Sequence, residues 1–415
     1  MTPTKGTLAH VAAVLDKMLS FSGPADETLS AYFREHRSLG QQERAFIAEA
    51  AFAVLRRKRS LEAAAGSAAS AALAAAAAMR VLGFSGRALD GIVDSALTQR
   101  IRAFRAESLE AAARVDLPDW LWQRLVAELG EGEALRLSQA MLNPAPLDLR
   151  VNLARMDREQ VLSRLTGDGI EAIATPYSPA GVRIAGKPAI NRHPLFSEGL
   201  IEVQDEGSQL LAWLLAPRRG EMIGDYCAGA GGKTLAVAML MRGTGRIYAL
   251  DVSARRLAAL TPRAARAGVT NVHAIVLSGE HDARAKRLAG KLDRVLVDAP
   301  CSGFGTLRRN PDLKWRHRPE AITQLAVKQR AILAAACRLL KPGGRLVYAT
   351  CSILQEENEK IAADFSERHP QLTTLSCSEL LAAQRIPLDT GRHLRLWPHV
   401  HGTDGFFAAA FERPA

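Results

Sequence analysis

From about residue 207 onward the chain repeats one unit: a short apolar run that stops at Gly, an acid or a thiol, followed by a stretch with helical spacing. "EMIGDYC" leads through a Gly-rich turn into "KTLAVAMLM", and "GRIYALD" leads into "SARRLAALTPRAARAG". "VHAIVL" and "DRVLVDAP" follow, and a long helix over 320–340 precedes "GGRLVYATC". Runs this short and this uniformly apolar suit strands buried on both faces, and the intervening helices are the crossovers that parallel strands need. The pattern predicts an α/β domain with a doubly wound, mainly parallel sheet. In such a sheet a ligand lies beyond the carboxyl ends of the strands. Asp225, Asp251, Asp298 and Cys351 all fall at those ends.

The chain has 415 residues, more than this one sheet needs, so further domains are expected upstream. Residues 1–141 have apolar positions three and four apart, as in "ADETLSAYFREHRSLGQQERAFIAEAAFAVLRRKRSLEAA", and predict helices throughout. "LNPAPLDLRVN" marks a boundary. Residues 142–205 then mix strands ("LDLRVN", "GVRIAG", "GLIEVQD") with the helix "DREQVLSRLTGDG", a small α+β module of ferredoxin-like kind. Ala63–Met79 is uncharged but mostly Ala and Ser, and reads as one buried helix rather than a membrane span. The N-terminal residues lack a secretory pattern, and the five cysteines show neither a disulfide framework nor metal-ligand pairing. A reducing, cytoplasmic location is expected, with no membrane or metal partner and a monomeric chain. The net charge of +11 favours a polyanionic partner, nucleic acid above all.

The turn "DYCAGAGGKT", 225–234, admits three readings. A Walker phosphate loop needs Gly where Cys227 stands, so that pattern fails. A dinucleotide fingerprint would likewise need its first Gly at Cys227. The third reading is the adenosine-binding turn of S-adenosylmethionine methyltransferases, where small residues let the backbone approach the cofactor. Asp251, ending the second strand, could accept hydrogen bonds from both ribose hydroxyls, although nicotinamide enzymes place an acid similarly.

The two thiols carry more weight. Cys301 in "RVLVDAPCSG" and Cys351 in "RLVYATCSI" each follow a strand-like run. Carbon 5 of cytosine is a poor nucleophile, and a thiolate adding at carbon 6 turns the ring into an enamine that is nucleophilic there. Such chemistry needs an ionised sulfur, a proton-handling group and a means of release. A cation such as Lys233, or a helix starting directly after "ATCS", would favour the thiolate. Cys337 and Cys377 lack this setting, and Cys227 is expected only to pack in the turn.

These elements resemble the Nop/Sun (RsmB-type) family of RNA cytosine-5 methyltransferases. The matching segments are "VQDEGSQL", "DYCAGAGGKT", "DAPCSGFGTLRRNPDLKW", "KPGGRLVYATCSILQEENE" and "DGFFAAAFER", in the family's order and spanning 200–413. The resemblance implies a Rossmann-like class I methyltransferase domain over 206–415. It extends to the bacterial members, which carry an all-helical NusB-like RNA-binding domain (here 1–141) and a small ferredoxin- or RRM-like module (here 142–205). It implies that Cys351 is the nucleophile and that Cys301 assists product release; spacing alone leaves the two roles open. Asp298 would lie beside the target base and the methyl group, with Lys233 completing the polar cluster. Cys227, Ala228, Gly229, Ala230, Gly231, Gly232 and Lys233, with Asp251 and Asp298, would hold S-adenosylmethionine. The family usually has an acid after the third strand, near the adenine; "VLSGEHDARA" offers Asp282 or Glu280 there.

The basic run "LRRNPDLKWRHR", 307–318, follows Cys301 closely. Arg308, Arg309, Lys314, Arg316 and Arg318 would contact phosphates, with Trp315 stacking on unpaired bases. Arg56-Arg57-Lys58-Arg59 is a second candidate. The expected substrate is RNA, ribosomal in preference to transfer RNA. The alternatives are an RNA-binding ribosome-assembly factor without catalysis, and a nicotinamide-dependent dehydrogenase.

Overall fold

The computed structural model describes residues 3–186 and 188–415. It divides into two compact units, one of Met1–Pro144 with Thr306–Pro319, the other of Ala145–Gly305 with Glu320–Ala415.

The first unit is helical. Thr4 and Thr7 close the start of the helix Lys5–Met18 with a reciprocal capping box. That helix buries Val11, Val14 and Leu15 in a core shared with Ile47, Val54 and Leu55 of Gln41–Arg56 and Leu73 of Ser70–Arg80. The stretch expected as one helix over Ala63–Met79 is two. Lys58–Ala65 stops at Gly66, whose φ of +64° suits glycine, and Ser70–Arg80 leaves at 102°. Ala74–Ala78 are all buried, their methyl side chains allowing close helix approach. No single helix among the described residues is long and apolar enough to cross a membrane.

The basic run belongs to this helical unit rather than to the sheet domain in which it was expected. Lys314 and Arg308 are 3% and 7% exposed, so neither reaches a phosphate, which corrects the expectation for both. Lys314 Nζ donates to the Arg56 carbonyl at 2.8 Å, and Arg56 Nη2 donates to the Arg308 carbonyl at 3.0 Å. Burial lowers the Lys314 pKa to about 7, against the opposing pull of Asp116. Trp315 is also engaged, its Nε1 donating to the Leu55 carbonyl at 2.7 Å. Arg59 donates to the Leu117 carbonyl and pairs with Asp119, and Lys58 pairs with Glu62. The two basic runs therefore largely serve the packing of this unit. Arg309 and Arg316 stay partly exposed and Arg318 exposed. On the expectation of an RNA partner, changing Arg309→Glu together with Arg318→Glu should weaken its binding and flatten the salt dependence, by roughly 0.7 in log–log slope for each single-strand phosphate no longer neutralised. An unchanged slope in a binding titration across salt concentrations would discard this surface.

The second unit contains two sheets. The smaller is antiparallel, ordered β2-β3-β1-β4, with β1 at Leu147–Val151, β2 at Ala172–Ala174, β3 at Gly181–Ile184 and β4 at Ile201–Val203. Its inner face packs Leu149, Val151 and Val182 against Val161 and Leu165 of the helix Arg158–Gly167.

The larger sheet comprises β5 (Met222–Tyr226), β6 (Arg246–Asp251), β7 (Val272–Val276), β8 (Leu292–Asp298), β9 (Leu340–Thr350), β10 (Thr373–Leu375), β11 (Leu394–Leu396) and β12 (Phe406–Glu412). Its order is β10-β12-β9-β8-β5-β6-β7, with β11 also paired to β12. The five strands β5 to β9 pair in parallel, and β12 returns antiparallel to β9 with Ala409 opposite Tyr348. Helices Gly232–Met241, Ala254–Ala267 and Pro319–Cys337 are among the crossovers. The chain runs outward from β5 to β6 and β7, then crosses back to β8 on the other flank. That reversal opens a crevice at the carboxyl ends of β5 and β8.

Candidate active site

β5 ends at Tyr226, and the backbone must then turn sharply into the helix that begins at Gly232. It does so with three positive φ angles, at Cys227 (+70°), Gly229 (+57°) and Gly231 (+84°). At Gly231 a Cβ would lie 2.1 Å from Leu260 Cδ1, so only glycine lets the turn sit on the neighbouring helix. Thr234 Oγ1 donates to Asp225 Oδ2 at 2.6 Å beneath the turn. Burial raises the Asp225 pKa to about 7 despite that bond.

Asp251 closes the other side. Its carboxylate accepts from the Gly229 and Ser253 backbone N–H groups at 2.8 and 2.7 Å, and from Arg256 Nη2 at 3.0 Å. These bonds aim it at the crevice and still leave acceptor capacity for a diol. Two arginines hold the turn from outside. Arg263 Nη1 donates to the Ala230 carbonyl at 2.6 Å, and Arg150, from β1 of the smaller sheet, donates to the Gly232 carbonyl at 2.8 Å.

Turn and strand ends enclose a cavity of about 410 Å³, within the range that holds a small ligand. Cys227–Ala230, Gly232, Lys233, Asp251, Asp298, Cys301 and Cys351 all line it, so the structure brings these expected residues together. Gly231 packs behind them on Leu260. A nucleoside fits this lining: a backbone turn without side-chain obstruction, a carboxylate for a ribose, and apolar Leu277 and Ile332.

Asp282 does not line the cavity, which corrects its expected role. Its carboxylate accepts from Ser278 N and Oγ and from Arg284 N, Nε and Nη2, capping a short helix; those bonds hold its pKa far below the usual carboxylate range. Glu280, the other acid considered, lines the cavity instead. Gln204, Ser208, Arg256 and Lys328 also line it without having been singled out. Gln204 and Ser208 lie in the matched segment "VQDEGSQL", which was a findable signal; nothing local marks Lys328.

At the inner end Lys233 Nζ donates to Asp298 Oδ2 at 2.6 Å. Burial opposes the ammonium charge, but Asp298, and beyond it Cys351, outweigh burial and raise the Lys233 pKa. The sulfurs of Cys301 and Cys351 are 3.4 Å apart. The Cys301 thiol is pushed well above its ordinary range, first by its bond to Cys351 and then by burial. Burial also pushes the Cys227 thiol up, and Cys337 and Cys377 are buried away from the cavity. No helix starts directly after Cys351: 352–354 are irregular, 355–358 form turns, and Glu359–Arg368 begins eight residues on. The helix N-terminus expected beside Cys351 is therefore not there.

Residues 212–412 match the family profile described as 16S rRNA methyltransferase RsmB/F. Residues 117–191 match the RsmF/B-like ferredoxin-like domain, which takes in the smaller sheet's first three strands. The chain is 36% identical over 325 residues to ribosomal RNA small subunit methyltransferase B of Sodalis glossinidius, covering 77% of this chain and 71% of that one. Among solved structures, PH0851 superposes with a TM-score of 0.81 at 28% identity, over 100% of this chain and 99% of that one. A methyltransferase homolog protein from Pyrococcus horikoshii gives 0.63 at 30% identity, over 75% and 100%.

Proposed function

The chain belongs to the RsmB/F family of ribosomal RNA small-subunit methyltransferases, and from that premise we propose that it methylates carbon 5 of a cytosine in ribosomal RNA through a transient bond from Cys351 to carbon 6. Family membership removes the nicotinamide alternative. The observation that carries the finer reading is the pair of sulfurs 3.4 Å apart in one cavity with the Lys233–Asp298 pair. A methyl transfer to an oxygen or an amine would need no nucleophilic thiol, let alone two.

When bound, S-adenosylmethionine supplies an electrophilic methyl group, and the 227–233 turn, Asp251 and Glu280 are the residues that would hold it. Cys351, as thiolate, adds to carbon 6, and the displaced π electrons make carbon 5 the nucleophile that takes the methyl. Asp298 is the carboxylate at hand to receive the carbon 5 proton. The electron pair left behind re-forms the ring double bond and expels Cys351 as thiolate. Cys301 keeps its proton throughout and donates it as a hydrogen bond to the departing sulfur. Lys233 supports the assignment of charge to Cys351, because a cation nearby favours the ionised thiol. The target base must leave its stack, since carbon 6 is shielded within a helix. The exposed arginines of the helical unit and the small sheet are proposed to hold the surrounding RNA, and the free thiols suit a reducing cytoplasm.

Small-subunit RNA tritiated at carbon 5 of its cytosines tests this directly. The protein with S-adenosylmethionine should release one tritium to water for each methyl group transferred. Methyl incorporation without tritium release would exclude carbon 5, no incorporation would leave an assembly factor, and activity confined to transfer RNA would move the substrate.

A further inference from the structure

The two sulfurs sit on separate segments, and one buried carboxylate is bonded to both. Glu357 is fully buried. Its Oε1 accepts from the Ser302 backbone N–H at 2.8 Å and from Gln329 Nε2 at 3.0 Å. Its Oε2 accepts from the hydroxyls of Ser302 and Ser352, both at 2.5 Å. Ser302 directly follows Cys301, and Ser352 directly follows Cys351. Gln329 Nε2 also donates to the Pro300 carbonyl at 3.0 Å, so the loop before Cys301 is tied in as well. The far side is anchored by Tyr348 Oη, which donates to the Glu357 carbonyl at 2.6 Å.

A carboxylate withdrawn from water is expensive unless its lone pairs are filled. Here, among the described residues, all four bonds come from neutral donors, and none from a Lys or Arg. A neutral amide or an apolar side chain could brace two loops without that desolvation cost. What a charge adds is a field at the thiols. The titratable groups acting on Cys301 are Cys351 and Glu357, and Cys301 and Glu357 both act on Tyr348; on the other side Cys351 acts on Lys233, which holds Asp298. Negative charge from Glu357 reaches Cys301 and adds to the rise in its pKa.

We propose that Glu357 is a positioning residue for the thiol pair: it holds the loops that carry Cys301 and Cys351 at the spacing that sets the two sulfurs against each other. This rests on the reading of Cys351 as the nucleophile. The geometry supports this role because three of the four bonds fasten the residues that directly follow the two cysteines, and the fourth, through Gln329, ties in the loop before Cys301.

The full-length protein carrying Glu357→Gln tests it, with Ser302→Ala as the milder variant. Three measurements are needed: the melting temperature, the pH profile of iodoacetamide labelling at each cysteine by peptide mass spectrometry, and turnover with adduct formation on RNA containing 5-fluorocytosine. In folded Glu357→Gln, the relative labelling of Cys301 and Cys351 should depart from the wild-type profile, and kcat should fall by roughly 100-fold with KM for RNA unchanged, the scale of a reactive group misplaced by about 1 Å. Ser302→Ala should show the same shift to a smaller degree, and it serves as the test if Glu357→Gln does not fold. Folded variants that keep the wild-type labelling profile and kcat would overturn the proposal. A wild-type protein that forms no adduct at Cys351 would instead overturn the cytosine reading, and the labelling profile, which needs no RNA, would still judge the thiol pair.

Discussion

Cys351→Ala should leave RNA unmethylated, while Cys301→Ala should accumulate a covalent protein–RNA species that survives a denaturing gel. The first variant removes the only sulfur proposed to reach carbon 6, and loss of a covalent nucleophile typically costs on the order of 10⁴-fold or more in turnover. The second leaves attack and methyl transfer intact. It removes the hydrogen-bond donor 3.4 Å from the departing sulfur, so the adduct forms faster than it breaks down. Protease digestion of the trapped species should yield an RNA-linked peptide containing Cys351. An adduct with Cys351→Ala, linked through Cys301, would exchange the two roles. Full activity in Cys351→Ala would end the covalent mechanism.

Gly305→Ala should cost stability and activity together, although Gly305 touches no reacting group. Its N–H donates to the Cys351 carbonyl at 2.8 Å, and its own carbonyl accepts from Gly405 N at 2.8 Å. An added Cβ would lie 2.1 Å from the Gly405 carbonyl oxygen and 2.8 Å from that of Cys351. Both are backbone atoms and cannot swing aside, so the loop after Cys351 must move. Overpacking of this kind costs about 1–3 kcal/mol. A shift near 1 Å at the sulfur can cost roughly 100-fold in rate. Thermal melting and adduct formation measured on the same preparation check both effects. A variant with wild-type melting and wild-type adduct rate would show that the loop has slack there, contrary to the crossing of backbones at Gly305 and Gly405.

Much of the site was legible because its chemistry sits where local pattern can place it. A run of apolar residues ending in Asp or Cys puts that residue at a strand's carboxyl end, and five parallel strands put those ends on one rim. The turn 227–233 was readable for the same reason: "CAGAGGK" between a strand and a helix allows few backbone paths. Glu357 escaped notice within "LQEENEK", which looks like the opening of a helix. The helix starts at Glu359 instead, because Glu357 turns inward to serine donors, one of them 55 residues earlier in the chain.

Charges were the least readable feature. Asp282 and Glu280 are two residues apart after the third parallel strand, and their separation says nothing about which enters the cavity. Five donor atoms on Ser278 and Arg284 claim Asp282, leaving Glu280 for the pocket. Lys314 and Arg308 looked solvated because isolated charges are costly to bury. The Arg56 carbonyl fills the hydrogen bond of Lys314, and Asp116 offsets part of the burial that works against its charge.

Strand and helix order, the Gly-rich turn and the paired thiols are matters of neighbours along the chain, since backbone period and turn sterics act over a few residues. Which acid faces a ligand, which arginines meet solvent and what holds the sulfurs together depend on donors and acceptors brought from afar. Ala25 N meets Asp312, and Leu55 meets Trp315, across more than 250 positions. A buried polar group is settled only when such a partner arrives, and only the folded chain supplies one.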